Sequence, residues 1–255
     1  MIEKDIQTIN KEFYNKTYRK ENMLSHIIYM FISYNQQSKA KRNFYILKKQ
    51  LKNIKNKNVL DYGFGLGSFL LKFPRSCNLY GCDISEVAVK LFPETCKLLL
   101  NKPAVTVLPK DVEIRFAKIK FDIICLSHIL EHVSDDKALL LELKPFLNVE
   151  GIFLINLPIN EHIADPNHIR KYNLDSTIAL LEQCGLECKF SISTDKITSY
   201  FVIQENILNC SRVKKMVFKF LRLMLSLIPT VFHFKIDGLI NRKYFNQQLI
   251  IIAGR

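Results

Sequence analysis

Between Asn58 and Ile159, short apolar β-rich runs alternate with longer amphipathic stretches. That alternation predicts a doubly wound α/β sheet, because strands covered by helices on both faces read as nearly continuous apolar runs. Val59-Leu60 opens a first strand, Asn78–Cys82 reads as a second and Ala104–Leu108 as a weakly marked third; Phe121–Leu126 and Gly151–Leu157 follow as fourth and fifth. Helices are predicted at Ser68–Phe73, Glu86–Phe92 and Asp135–Leu147, the last with acids in its first turn, where the helix dipole favours them. Leu174–Cys184 has helical spacing and ends at Gly185, a C-cap residue, and Leu186–Ile192 and Gln248–Ala253 complete a mostly parallel, seven-stranded sheet.

The pattern divides the chain into an N-terminal basic helical cap, residues 1–57, and a domain, residues 58–255, with an amphipathic basic insertion at 204–245 before the last strand. Within the insertion, Val213–Ile228 is a predicted helix. At about 100° per residue, Lys215, Lys219, Arg222 and Ser226 share a narrow polar stripe, and apolar residues such as Met216, Phe220 and Met224 cover much of the rest. So wide an apolar face needs protein or lipid against it. Lys219 and Arg222 interrupt the run and Pro229 ends it, so it is not a span, which takes about 20 continuous apolar residues. An anionic membrane surface and the protein's own core or a partner subunit remain as occupants.

Composition narrows the picture. A chain of 255 residues with 48% hydrophobic and 24% charged content can bury a full core, which excludes disorder and a disulfide miniprotein. The net charge of +13 would suit a polyanion, but it is unevenly placed. Residues 1–57 carry 13 Lys/Arg and 4 Asp/Glu, and residues 201–255 carry 9 and 2, whereas the central 58–200 carry 15 and 18. The core is mildly acidic and only the appendages are basic, so nucleic acid is not the expected partner. The seven cysteines never form C-x-x-C, so buried reduced thiols are expected rather than disulfides or a zinc ribbon. The opening MIEKDIQTIN has no apolar h-region, which leads to the expectation of a cytoplasmic protein, at most peripheral on a membrane.

Three of the eight glycines cluster in Val59-Leu60-Asp61-Tyr62-Gly63-Phe64-Gly65-Leu66-Gly67, after a strand. Glycine is needed where the chain turns with positive φ or where a ligand touches backbone. A dinucleotide fingerprint needs G-x-G-x-x-G, but here the third glycine comes one residue early, and Asp61 would repel a pyrophosphate. Asp61 suits a cationic group instead. Asp83, at the end of the next strand, is placed to accept both hydroxyls of a ribose. A nucleoside with an amino-acid tail and no phosphate satisfies both acids, and S-adenosylmethionine is such a molecule.

On VLDYGFGLG, Asp83, FDIICLSHILEHV, GIFLINLPI, DPNHIRKYN and LLEQCGL, the chain resembles the class I S-adenosylmethionine-dependent methyltransferases from about Lys57 to Gly185 and in the last strand. The resemblance implies their Rossmann-like fold. It also implies that Asp61 and Gly63 hold the methionine portion, that Gly65 and Gly67 let the cofactor approach, that Asp83 binds the ribose and that Ile84 lies against the adenine. Asp111 or Glu113 would meet the adenine amino group.

Four of the six histidines, His128, His132, His162 and His168, follow the fourth and fifth strands, at the carboxyl edge where ligands of such sheets bind. Methyl transfer needs alignment, and a hydroxyl acceptor must also lose a proton, which an imidazole with a pKa of about 6.5 can take. His132 or His128, then His168, are the candidate bases. H-x-x-E-H also resembles the E-x-x-E-H element of metal-dependent O-methyltransferases of the quinone and RNA 3′-end types, which would make His128, Glu131, His132 and His168 ligands of a divalent metal. Imidazole in place of the first glutamate shifts preference away from Mg²⁺, so the metal-free reading is preferred. The sequence thus predicts O-methylation of a small-molecule, saccharide or lipid-linked acceptor. A membrane-associated scaffold that kept the fold without the activity is the rival of another class. Arg170, Lys171 and Tyr172 border the acceptor pocket in the resembling family, as cations and an aromatic for an anionic or sugar-like acceptor.

Overall fold

In a computed structural model, residues 11–12, 15, 23–161, 165, 167–197, 199–200, 211–240 and 247–255 are described. Tyr14, Tyr18, His162 and Cys210 lie outside them, as do the side chains of Lys215, Lys219, Arg222 and Ser226, on which the polar stripe of the insertion rests.

The seven strands are β1 (Asn58–Tyr62), β2 (Asn78–Cys82), β3 (Val105–Val107), β4 (Phe121–Ser127), β5 (Leu147–Pro158), β6 (Glu187–Thr194) and β7 (Gln248–Gly254). They form one sheet in the order β3-β2-β1-β4-β5-β7-β6. All neighbours are parallel except β7, which runs antiparallel between β5 and β6. Strand order reverses between β1 and β4, so the crevice beyond their carboxyl ends is the natural ligand position. Apolar clusters cover both faces, one built on Phe116, Phe121, Phe153 and Leu181 and the other on Leu47, Leu70, Phe92 and Ile123. The cysteines at 77, 82, 96, 125, 184 and 188 are free thiols.

The helices are α1 (Met23–Ile32), α2 (Tyr34–Gln50), α3 (Glu86–Leu100), α4 (Val112–Phe116), α5 (Asp136–Leu143), α6 (Leu174–Gln183), α7 (Arg212–Leu227) and α8 (Thr230–Leu239). Three differ from expectation for identifiable reasons. Only a short 3₁₀ turn, Leu70–Lys72, stands where a helix was predicted at Ser68–Phe73, because Gly67 and Pro74 leave too few residues to nucleate one. The helix predicted to reach Leu147 stops at Leu143, and Pro145 turns the chain into β5. Conversely, α3 runs through Pro93. The proline cannot donate to the Val89 carbonyl, and the hydroxyl of Thr106 on β3 donates to it instead at 2.7 Å.

The N-terminal helices and the insertion meet. Helix α2 packs against α1, α7, α8 and β5. Arg42 on α2 forms a buried ion pair with Asp195, just past β6, at 2.7 Å. Asp237 on α8 accepts from the Thr194 hydroxyl and from the backbone N–H groups of Asp195 and Ile197 at 2.7–3.1 Å. Tyr45 stacks on Phe234 at 5.0 Å. Together these contacts seat α2 above the carboxyl ends of β4 and β5. Val213, Met216, Val217 and Phe220 of α7 stay exposed, the first two by about two-thirds of their surface. Among the described residues, no helix is long and apolar enough to cross a membrane.

Candidate active site

The loop after β1 takes positive φ at Gly63 (81°), Gly65 (54°) and Gly67 (74°). Two of these glycines are also required sterically. A Cβ on Gly63 would stand 1.9 Å from Ile129, and one on Gly67 would stand 1.9 Å from Phe92. The loop is therefore pressed between the segment after β4 and helix α3. Its backbone is tied to β2, with Gly63 N–H donating to the Cys82 carbonyl at 2.6 Å.

Two buried acids flank this loop. Asp61 is in register with Gly81 and Cys125 on the adjacent strands. Burial pushes its carboxyl from the ordinary 3.8 up to about 7, with the Cys125 thiol opposing the rise and the charge of Asp83 adding to it. Asp83 accepts from Gly65 N–H at 2.7 Å and Ser85 N–H at 2.8 Å, and burial pushes it up to about 6 against those two bonds. Among the described residues, neither acid has a Lys or Arg ion-pair partner. Carboxylates held this way, beside backbone that a side chain would obstruct, fit a ligand with cationic groups and a ribose. Ile84 is half-buried beside Asp83, and Asp111 is half-buried after β3, whose Val107 carbonyl accepts from Asp83 N–H. Asn15 accepts from the Ser85 hydroxyl at 2.8 Å, so the N-terminal segment reaches this edge.

The histidines divide into two groups. His128, at φ 57°, ends β4. Its Nδ1 lies 3.0 Å from Glu131 Oε1 and its Nε2 lies 2.8 Å from Gln248 Oε1, so both nitrogens face polar partners. Burial holds this imidazole below its ordinary pKa, with Lys39 adding to the effect, which favours the neutral ring. Glu131 is fully buried, and neither of its oxygens has a well-aligned donor. Burial opposes its charge, but His128 holds the carboxyl below its ordinary pKa.

His132 and His168 are half-buried and stack edge to face at 4.8 Å. His132 Nδ1 is 3.1 Å from the Asn167 carbonyl, and His168 Nδ1 pairs with Glu161. Glu131, His132 and His168 each offer a ligand atom within 4.8 Å of the others. His128 touches Glu131 at 3.0 Å but is not one of the three that converge. The orphaned oxygens of Glu131 and this mixed nitrogen–oxygen donor set fit a divalent transition metal better than Mg²⁺.

The segment after His168 is committed elsewhere. Tyr172 donates to Asp136 at 2.6 Å and to the Leu130 carbonyl at 3.2 Å, and Arg170 pairs with Asp136 at 3.1 Å. These side chains fasten the loop to α5 rather than standing ready for an acceptor, and Lys171 is exposed. The sequence reading missed the contribution of α2. Asn43 donates to Ser127 Oγ at 3.3 Å and accepts from Asn156 at 2.9 Å, which brings Lys39 and Arg42 over the same edge. Their spacing of three and four residues was a usable signal, hidden among the lysines of that helix.

Comparison with known proteins agrees with this geometry. A family model described as a methyltransferase domain matches residues 34–189. The ubiquinone biosynthesis O-methyltransferases of Bradyrhizobium sp. (strain ORS 278) and Rhodopseudomonas palustris (strain BisB18) are 25% and 26% identical, over 66% and 65% of this chain and 78% and 77% of theirs. Among solved structures, magnesium protoporphyrin IX methyltransferase from Synechocystis PCC 6803 with bound SAH has a TM-score of 0.60 at 14% identity, covering 97% of this chain and 99% of that one. The [4+2]-cyclase SpnF reaches 0.58 at 15% identity, covering 84% and 79%.

A carboxyl with raised proton affinity stabilises the fold at low pH, and that contribution is lost as pH climbs through about 6 for Asp83 and about 7 for Asp61. A cationic ligand favours the ionised form, so its binding releases protons. Calorimetric affinity for S-adenosylmethionine is expected to rise from about pH 5.5 to about pH 7, and Asp61→Asn to flatten that profile. Asp83→Ala should weaken binding at least about tenfold. A flat wild-type profile, or unchanged affinity in Asp83→Ala, contradicts the assignments. With its glycine loop, its two strand-end acids, its seven-stranded sheet and the match over residues 34–189, the chain belongs to the methyltransferase-domain family, the class I S-adenosylmethionine-dependent methyltransferases.

Proposed function

We propose that this methyltransferase acts on an oxygen of a small-molecule, saccharide or lipid-linked acceptor, with His132 as general base. The observation that carries the reading is the His132 ring at the carboxyl edge of β4, with Nδ1 against the Asn167 carbonyl. An Nδ1–H donated to that carbonyl leaves the Nε2 lone pair to take a proton. The names of the two bacterial relatives support oxygen as the acceptor atom.

S-adenosylmethionine, when bound, supplies a methyl carbon on a positively charged sulfur. The acceptor oxygen forms a bond to that carbon as the carbon–sulfur bond breaks, the electron pair stays on sulfur, and the hydroxyl proton passes to His132. His168 packs against the His132 ring and holds its plane. His132→Ala should reduce turnover with a competent acceptor by about 10²–10⁴-fold and leave S-adenosylmethionine affinity within about twofold of wild type. Full turnover in that variant removes His132 from the chemistry.

A second reading is favoured by the grouping of Glu131, His132 and His168. In that case the three side chains would hold a divalent transition metal, which would supply Lewis-acid polarisation of the acceptor oxygen in place of a protein base. Titration of Mn²⁺ or Zn²⁺ into chelator-treated protein should then show a site that Glu131→Gln weakens. Undiminished turnover in the presence of chelator decides for the base.

A lipid-linked acceptor also gives the exposed face of α7 a role. We propose that Val213, Met216, Val217 and Phe220 rest on an anionic lipid surface, in a segment whose excess of basic residues complements it. The chain should sediment with phosphatidylglycerol vesicles and much less with phosphatidylcholine. A Met216→Ser, Phe220→Ser variant should lose most of that binding, and an unchanged bound fraction excludes this surface.

A further inference from the structure

Helix α2 presents Lys39, Arg42 and Asn43 at positions i, i+3 and i+4, which share one helix face. Asn43 joins Ser127 and Asn156 at the ends of β4 and β5, and Arg42 pairs with Asp195. These two anchors fix the rotation of the helix and leave Lys39, one turn before Asn43, above the segment that follows β4. There it interacts electrostatically with Glu131, Asp195, Arg42 and His128.

The lysine is half-buried, yet its ammonium makes no hydrogen bond or ion pair among the described residues. Arg42 beside it has Asp195. Glu131 acts on Lys39 at longer range, outside ion-pair distance, and the group nearest to it is His128 Nδ1 at 3.0 Å from Oε1. Lys48 and Lys49 of the same helix are exposed, whereas Lys39 is half-buried. Glu131 and Asp195 balance its charge at longer range, but no group hydrogen-bonds the ammonium, which leaves it able to donate to an anionic oxygen of a ligand.

We propose that the Lys39 ammonium binds an anionic oxygen group on the methyl acceptor, a carboxylate or a phosphate ester, so that the enzyme acts on acidic acceptors. The proposal deepens the reading above and rests on it for the identity of the pocket. Lys39 stands over the β4 side of the edge, away from Asp61 and Asp83 at the glycine loop and above Glu131.

The test is calorimetric, on full-length protein saturated with S-adenosylhomocysteine. One arm compares 3,4-dihydroxybenzoate with 3,4-dihydroxybenzyl alcohol, and a second compares glycerol 3-phosphate with glycerol, so that the two anion classes are distinguished. In at least one arm the anion is expected to bind about tenfold more tightly than its neutral partner, the scale of one charge-assisted hydrogen bond. Lys39→Met should abolish that preference, and Lys39→Arg should keep most of it. S-adenosylhomocysteine binding by each variant reports that the fold is intact. No preference in either arm, or a preference that survives Lys39→Met, overturns the proposal. Failure of the wild-type protein to bind S-adenosylhomocysteine would instead remove the methyltransferase reading beneath it.

Discussion

Buried negative charge at one edge of the sheet is the constraint on which the site depends. Asp61, Asp83 and Glu131 are each nearly or fully inaccessible to solvent, and among the described residues no Lys or Arg forms an ion pair with any of them. Isolated carboxylates in such surroundings cost several kcal/mol each, and the protein answers in two ways. Asp83 is stabilised by two backbone N–H groups and Glu131 by His128, whereas Asp61 keeps little beyond the Cys125 thiol. The least compensated of the three sits at the glycine loop, where a cationic group of a ligand can supply the missing charge.

The roof over this edge is held by charge as well. The pair of Arg42 with Asp195 joins the N-terminal helices to the chain leaving β6, and Asp237 secures the same corner from α8. Removing one member of a buried pair leaves a stranded charge, at a cost of about 3–5 kcal/mol. The cap and the insertion, far apart in sequence, are thus coupled through one corner of the sheet. Whatever occupies the exposed face of α7 acts on a helix that packs against α2, which carries Lys39 and Asn43.

What the sequence discloses follows from how local each cause is. The strands and the glycine loop were legible because parallel strands are apolar throughout and the loop needs positive φ at fixed spacing. The insertion of β7 between β5 and β6 was not legible, since pairing is decided across the sheet and Gln248–Gly254 reads alike in any position. The continuation of α3 past Pro93 depends on a hydroxyl from β3. Asp61 and Asp83 could be singled out as candidates from their places at strand ends. Lys39 escaped because a lysine in a basic helix looks solvated until the rotation of that helix is known. The same holds for Arg170 and Tyr172, whose partner Asp136 lies far enough upstream that only the fold brings them together.

The net charge of +13 therefore averages over three separate electrostatic environments. The glycine-loop side is acidic and desolvated, α2 carries Lys39 above buried Glu131 beyond β4, and the excess of basic residues lies in the cap and insertion. In a methyl transfer from sulfonium to oxygen, positive charge on sulfur is extinguished as the new bond forms. Acids that bind the cationic reactant would stabilise the ground state more than the transition state if they stood at the sulfur itself. Asp61 and Asp83 stand at the ends of β1 and β2, whereas Glu131 lies beyond β4 beside His132. Two of the three buried acids are thereby kept to the glycine-loop side, and Glu131, held by His128, is the one that stands beside the histidines.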